Sequence, residues 1–188
     1  MNIGLFFGSF NPIHIGHLII ANFVADDTNV DEVWMIVSPH NPFKKTADLL
    51  DEKVRLSLVN TAITDNPKLK VSDIEFDLPR PSYTIDTITK IKEKYPDNTF
   101  FVIIGSDSLQ TIENWKNSKR LLKENVFMVY ERPLFSVTTS LENVRILNAP
   151  LLNICATDIR KAIKNGKSIR YLVPDQVLKE IEEKGYYR

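Results

Sequence analysis

The chain has 188 residues, 43% of them hydrophobic and 26% charged, and its 24 basic and 24 acidic side chains cancel to a formal charge of zero. That length supports one sizeable core and is short for two, and the balanced charge excludes a global attraction to nucleic acid or a membrane surface. The single cysteine, Cys155, excludes an intramolecular disulfide and a multi-cysteine zinc site. In chain order, residues 3–7 (IGLFF), 33–37 (VWMIV), 100–104 (FFVII) and 126–130 (VFMVY) are continuous apolar runs. Such runs predict strands buried on both faces, as in a parallel sheet covered by helices. Residues 68–76 (KLKVSDIEF) alternate more and predict a strand nearer an edge, and 144–147 (VRIL) a last short one.

Helix-period stretches lie between the runs. Residues 16–25 carry Leu18, Ile19, Asn22 and Phe23 at helical spacing; 51–63 carry Val54, Leu58 and Ala62 on one stripe; 84–94 repeat Ile85, Ile88 and Ile91 with lysines opposite. Two more are expected at 157–165, ending on Asn165-Gly166, and at 174–184, opening on Pro174. This alternation predicts a Rossmann-like, doubly wound α/β fold. Its mainly parallel sheet has about five to six strands and helices on both faces, within a single domain over 1–188 with a small helical part from about 153. The N-terminal MNIGLFFGSFN has no basic segment before its short apolar run, and no stretch approaches ~20 uninterrupted apolar residues. A soluble cytoplasmic protein is therefore expected.

Ligands of such sheets bind at the carboxyl ends of the strands, near the switch point of the strand order. After the first run come Gly8-Ser9-Phe10-Asn11-Pro12, then His14 and His17 around Gly16 at a helix start. Neither the G-x-G-x-x-G fingerprint nor a P-loop is present there. Glycine allows close backbone approach, and a helix N-terminus offers free N–H groups to phosphate. The spacing leaves open two loop histidines, two phosphate donors, or zinc ligands short of a third. In ICATDIR at 154–160, Thr157 is the candidate N-cap and Arg160 lies in the first helical turn. A cation there opposes the macrodipole preference, which makes sense with an anionic ligand; the alternative is a solvated arginine. Asp107, after the run at 100–104, is a helix N-cap or a partner for ribose hydroxyls. The loop 38–50 (SPHNPFKKTADLL) is a candidate lid or a plain surface loop.

GSFNPIHIGH at 8–17 resembles the G-x-F-x-P-x-H-x-G-H motif of HxGH-type nucleotidylyltransferases, and ICATDIR resembles their I-S-S-T-x-I-R motif. SPHNPFKK at 38–45, RPSYTIDT at 80–87, FVIIGSD at 101–107, Trp115, Glu131-Arg132-Pro133 and IRYLVP at 169–174 are similar to segments of the nicotinate-nucleotide adenylyltransferases. The resemblance spans essentially the whole chain. One departure stands out: Cys155-Ala156 replaces the usual Ser-Ser, so a hydroxyl contact to phosphate is lost there.

The resemblance implies transfer of the adenylyl group of ATP to nicotinate mononucleotide, giving nicotinate adenine dinucleotide and pyrophosphate in pyridine nucleotide biosynthesis. ATP is a substrate, Mg²⁺ is bound through its phosphates, and no protein side chain is assigned as a metal ligand. His17 would contact the α-phosphate, His14 the β/γ end, and Arg160 the pyrophosphate, with Lys44 swinging in from its loop. Gly8, Ser9, Phe10 and Gly16 would complete the ATP site around the first loop. Gly105 and Asp107 would face the adenosine, and Ile154 and Thr157 would close the site from the C-terminal motif. Ser82, Tyr83, Thr84, Trp115 and Arg132 would hold the mononucleotide. The partners are small molecules, with neither nucleic acid nor membrane, and the chain acts as a monomer or homo-oligomer. Nicotinamide mononucleotide, phosphopantetheine as acceptor, and a non-catalytic nucleotide-binding homologue are the competing readings.

Overall fold

A computed structural model describes residues 1–40, 49–139 and 141–188. Its strands are β1 (Asn2–Gly8), β2 (Glu32–Val37), β3 (Leu69–Ser72), β4 (Thr99–Gly105), β5 (Val126–Tyr130) and β6 (Val144–Leu147). Its helices are α1 (Ile15–Asp27), α2 (Glu52–Ile63), α3 (Thr84–Lys94), α4 (Ser106–Gln110), α5 (Ser118–Glu124), α6 (Ala156–Lys164) and α7 (Asp175–Lys184). A 3₁₀ turn at Ile112–Asn114 separates α4 from α5. The strands form one six-stranded parallel sheet in the order β3-β2-β1-β4-β5-β6.

Period-two alternation within the apolar runs sends side chains into two cores. Along β4, Phe101 and Ile103 join the core under α1, α2, α6 and α7, whereas Phe100, Val102 and Ile104 join the core under α3 and α5. Burying each such side chain contributes ~1.5–3 kcal/mol, which is why these runs lie inside the sheet. The helices after position 153 share the first core through Ile159, Val177 and Ile181. The fold is the expected doubly wound α/β sheet, and the residues at 68–76 do supply an edge strand.

Several elements differ in detail. β3 stops at Ser72 because the chain then turns, with Phe76 N–H donating to Asp73 O at 2.7 Å and Leu78 N–H to Glu75 O at 3.1 Å. α4 and α5, of five and seven residues, have no long periodic stripe to announce them. The buried face of α1 is Ile20, Ala21, Val24 and Ala25 rather than the stripe of Leu18, Ile19 and Phe23, because the small alanines bring the helix close to the sheet. Pro174 is the N-cap of α7 rather than its first residue. Among the described residues, no helix is long and apolar enough to cross a membrane.

Candidate active site

The strand order reverses at β1 and β4, and a cavity of about 660 Å³ opens at their carboxyl ends. Gly8 leaves β1 beneath the ring of Phe10, where a Cβ would stand 2.7 Å from the ring carbons. Phe10 is buried at a left-handed φ of 43°, and its ring packs edge-on against Phe6 and His17. This packing turns the chain so that His14 becomes the N-cap of α1 and His17 sits at its third position. The two imidazoles stack with centroids 3.6 Å apart. His17 Nδ1 accepts the His14 backbone N–H at 3.3 Å, which leaves the ring proton of neutral His17 on Nε2.

Burial, reinforced by the positive charge of Arg132, lowers the His14 imidazole to about 4 against a backbone hydrogen bond that raises it. His14 is thus neutral at pH 7, a donor rather than a fixed cation. From the far end of the chain, Arg160 Nη1 donates to Asn11 O at 2.8 Å and ties α6 to the β1 exit loop. Among the described residues, two buried polar atoms on this wall, Ser9 Oγ and Arg160 Nε, have no hydrogen-bond partner. Such atoms cost folding free energy unless something satisfies them, and both residues line the cavity.

Behind the wall stands Arg55 of α2, fully buried. Its guanidinium donates to Ser9 O at 2.6 Å, Ser38 O at 2.8 Å and Pro39 O at 3.0 Å, and its Nε to Leu50 O at 2.8 Å. At the β4 exit, Gly105 leaves room for Asp107 and Arg132 to meet at 3.6 Å, because a Cβ there would strike the Asp107 carboxylate and sit 3.0 Å from Arg132 Cδ. The opposite wall is the start of α3. Tyr83 is its N-cap, Thr84 its first residue, and Lys116 Nζ lies 4.8 Å from the centre of the Tyr83 ring while pairing with Asp86 at 2.8 Å. Among the described residues, no group of three or more His, Cys, Asp or Glu side chains is arranged to hold a metal ion.

Residues 5–162 match the cytidylyltransferase-like family. A protein of Cytophaga hutchinsonii that carries the name "Probable nicotinate-nucleotide adenylyltransferase" is 54% identical over 100% of this chain and 98% of its own length. A protein of the same name from Flavobacterium psychrophilum is 46% identical over the full length of both chains. The chain belongs to the nicotinate-nucleotide adenylyltransferase family. It is therefore a nucleotidyltransferase. A Plasmodium falciparum nicotinic acid mononucleotide adenylyltransferase complexed with NaAD shares the fold, with a TM-score of 0.85 at 22% identity over 99% of this chain and 97% of that one.

The folded nucleotidyltransferase brings most of the residues singled out in the sequence to the one cavity. Gly8, Ser9, Phe10, His14 and His17 line it from the first loop, and Gly105, Asp107 and Arg132 from the β4 and β5 exits. Thr157 and Arg160 line it from α6, and Ser82, Tyr83, Thr84 and Trp115 from the far wall. Gly16 and Ile154 instead line a smaller adjoining cavity of about 30 Å³, which also touches His14, His17 and Arg132. Lys44 and Lys45 lie outside the described residues, as does most of the 38–50 loop.

Two expected roles change. Thr157 is not the N-cap of α6. Cys155 is, with φ −133° and ψ 144°, and its thiol turns to Asp158 at 3.1 Å instead of capping the helix N–H groups. Arg160 accordingly lies one turn in, where its guanidinium reaches Asn11. Asp107 is not a cap either, since Gly105 is the N-cap of α4 and Asp107 lies within its first turn. Arg55, Glu75 and Lys116 have no assigned role in the sequence, yet Glu75 and Lys116 line the cavity, as does Ser38 at the start of SPHNPFKK. Their only sequence signal is nearness to the motifs, because each acts through a partner distant in the chain.

Proposed function

We propose that the chain transfers the adenylyl group of ATP to nicotinate mononucleotide, forming nicotinate adenine dinucleotide and pyrophosphate. A mononucleotide phosphate oxygen attacks the α-phosphorus, and the bond from that phosphorus to the bridging oxygen of the pyrophosphate breaks. The observation that carries this reading is the convergence on the switch-point cavity of His14, His17 and the Ser9 and Arg160 atoms that have no partner among the described residues. A triphosphate supplies the acceptor oxygens that those donors lack.

The attacking phosphate monoester is already mostly dianionic at pH 7, so it needs no strong base. Catalysis reduces to in-line positioning and to donors aimed at the phosphoryl oxygens. His17 presents its Nε2–H to the α-phosphate, and His14 meets the β/γ end. Arg160 and the N–H groups of α6 near Thr157 hold the leaving pyrophosphate, with Lys44 added from its loop. Asp107, beside Gly105, accepts from the ribose of the adenosine, and Gly16 and Ile154 border the ATP site from the adjoining cavity.

On the mononucleotide side, Trp115 offers an aromatic face to a cationic pyridinium, and Tyr83, whose ring carries Lys116, lines the same wall. Ser82, Thr84 and Arg132 complete that wall. The N-terminus of α3 opens there at Tyr83 and Thr84, and its positive dipole end favours the acid over the amide of the pyridine ring. ATP enters as its Mg²⁺ complex. Both carboxylates on the cavity wall are engaged, Asp107 with Arg132 and Glu75 with Ser82 and Thr87, so phosphate oxygens and water supply the ion's ligands. One domain serves both substrates, and the cytoplasm, which provides ATP and keeps Cys155 reduced, is the compartment that fits.

Pyrophosphate release from MgATP, measured with the phosphates of nicotinate riboside, nicotinamide riboside and pantetheine side by side, tests the reading. Turnover is expected to be fastest with the nicotinate form; preference for either other acceptor, or none with any, overturns it.

A further inference from the structure

Glu75 lies at the turn that cuts β3 short, and only 2% of its surface is exposed. Its two carboxylate oxygens are divided between two elements. Oε2 accepts the hydroxyl of Ser82 at 2.7 Å, just before the N-cap of α3, and Oε1 accepts the hydroxyl of Thr87 at 2.8 Å, one turn inside that helix. Burial raises the Glu75 carboxyl above its ordinary range, and Ser82, Thr87 and the side chain of Ser38, at the exit of β2, oppose that by favouring its charged form. Among the described residues no cation pairs with Glu75.

A buried carboxylate held only by hydroxyls is an expensive way to fill space, since an apolar side chain of similar volume avoids the desolvation cost. What it supplies is direction. A carboxylate accepts and never donates, so each hydroxyl must turn its proton inward. The hydroxyl of Ser82 then offers only lone pairs to the cavity it lines. Because Ser82 and Thr87 bracket Tyr83, the same carboxylate fixes the N–H groups that begin α3.

We infer that Glu75 is the positioning residue of the mononucleotide wall, holding Ser82 as an acceptor and the Tyr83–Thr84 turn in the orientation that receives the pyridine ring and its acid group. This rests on the reaction assigned above. The Ser38 contact joins this wall to the carbonyl that Arg55 holds, so the exits of β1, β2 and β3 share one buried frame.

Glu75→Gln tests it. The amide must point its NH₂ at one of the hydroxyls, which reverses that hydroxyl and loosens the turn. The KM for nicotinate mononucleotide is expected to rise about tenfold, the effect of one weakened hydrogen bond to a charged group, while kcat and the KM for ATP stay within about twofold. Thr87→Val, which removes one of the hydroxyls with little change of shape, should shift the same KM by about threefold. In the ligand-free protein, amide hydrogen exchange should quicken at residues 83–86 in both variants and stay unchanged at residues 13–17. An equal rise in both KM values, a loss confined to thermal stability, or unaltered exchange at 83–86 would overturn the inference. Wild-type turnover, measured on the same preparation, bears on the reaction alone, and the exchange readout needs no turnover, so the two failures are distinguishable.

Discussion

The two walls of the cavity solve opposite problems. The wall built from the β1 exit and α6 keeps polar atoms buried at Ser9 and Arg160 with no partner among the described residues. The wall built around α3 pairs its buried polar atoms with one another, Glu75 with Ser82 and Thr87. Unpaired donors are costly in the free protein, yet they are fixed where negative charge is to be stabilised and need no reorganisation when it arrives. A satisfied wall holds a shape instead. Loss of a group from the first wall should therefore slow the chemical step, and loss from the second should weaken binding of one substrate.

Arg55 tests how far the first wall depends on what lies behind it. Replacing it with Met keeps much of the volume but strips hydrogen bonds from the Ser9, Ser38, Pro39 and Leu50 carbonyls. Stability to urea should fall by about 3 kcal/mol or more, read as a lower midpoint at unchanged slope. An unchanged midpoint would show that the β1 exit holds itself. His17→Ala removes the donor assigned to the reacting phosphate, and kcat should fall by about 100-fold with the KM for the mononucleotide within twofold. A near-normal kcat would return His17 to a packing role against Phe6 and Phe10.

The same division separates what the sequence discloses from what it hides. The apolar runs and their spacing disclose the sheet, because burial on both faces leaves an unbroken signature. The GSFNPIHIGH and ICATDIR stretches disclose themselves through residues concentrated in short windows, even though 149 positions separate Asn11 from the Arg160 that touches it. Arg55 and Glu75 offer no such concentration. Arg55 occupies an amphipathic helix, where a charge ordinarily reads as facing solvent, and Glu75 sits in KLKVSDIEF, which reads as an alternating strand. Their partners are loop carbonyls and hydroxyls up to 46 residues away. Only the strand order brings those loops together. The cap of α6 is hidden for a related reason: Thr157 has the stronger intrinsic preference, but the chain enters the helix at Cys155.

His14 gives a pH test of the first wall. Its imidazole is lowered from 6.5 to about 4 in the folded protein, with burial the main cause. Between those values the unfolded chain holds a proton there and the folded chain does not, so its contribution to stability is lost as the pH falls through that window and complete above 6.5. At pH 5 the loss relative to pH 7 amounts to about 2 kcal/mol. His14→Gln should flatten the stability curve between pH 4 and 6.5 by that amount. Curves for the two proteins that run parallel would mean that His14 is not buried uncharged.

The smallest expected effect lies where the chain departs from its family. Cys155 has the extended backbone of an N-cap, but its thiol donates to Asp158 and leaves the first N–H groups of α6 uncapped. Those groups belong to the wall that awaits an anion. In Cys155→Ser, the shorter C–O bond and stronger acceptor favour a hydrogen bond from the backbone N–H at the second or third position of the helix, worth about 1 kcal/mol. The gain should appear as a higher melting temperature in the free protein. Because a capping hydroxyl competes with a phosphate oxygen for the same N–H, the KM for ATP should rise slightly rather than fall. A lower KM with no change in melting temperature would mean that the hydroxyl turns into the cavity, and that the serine usual at this position serves the nucleotide directly.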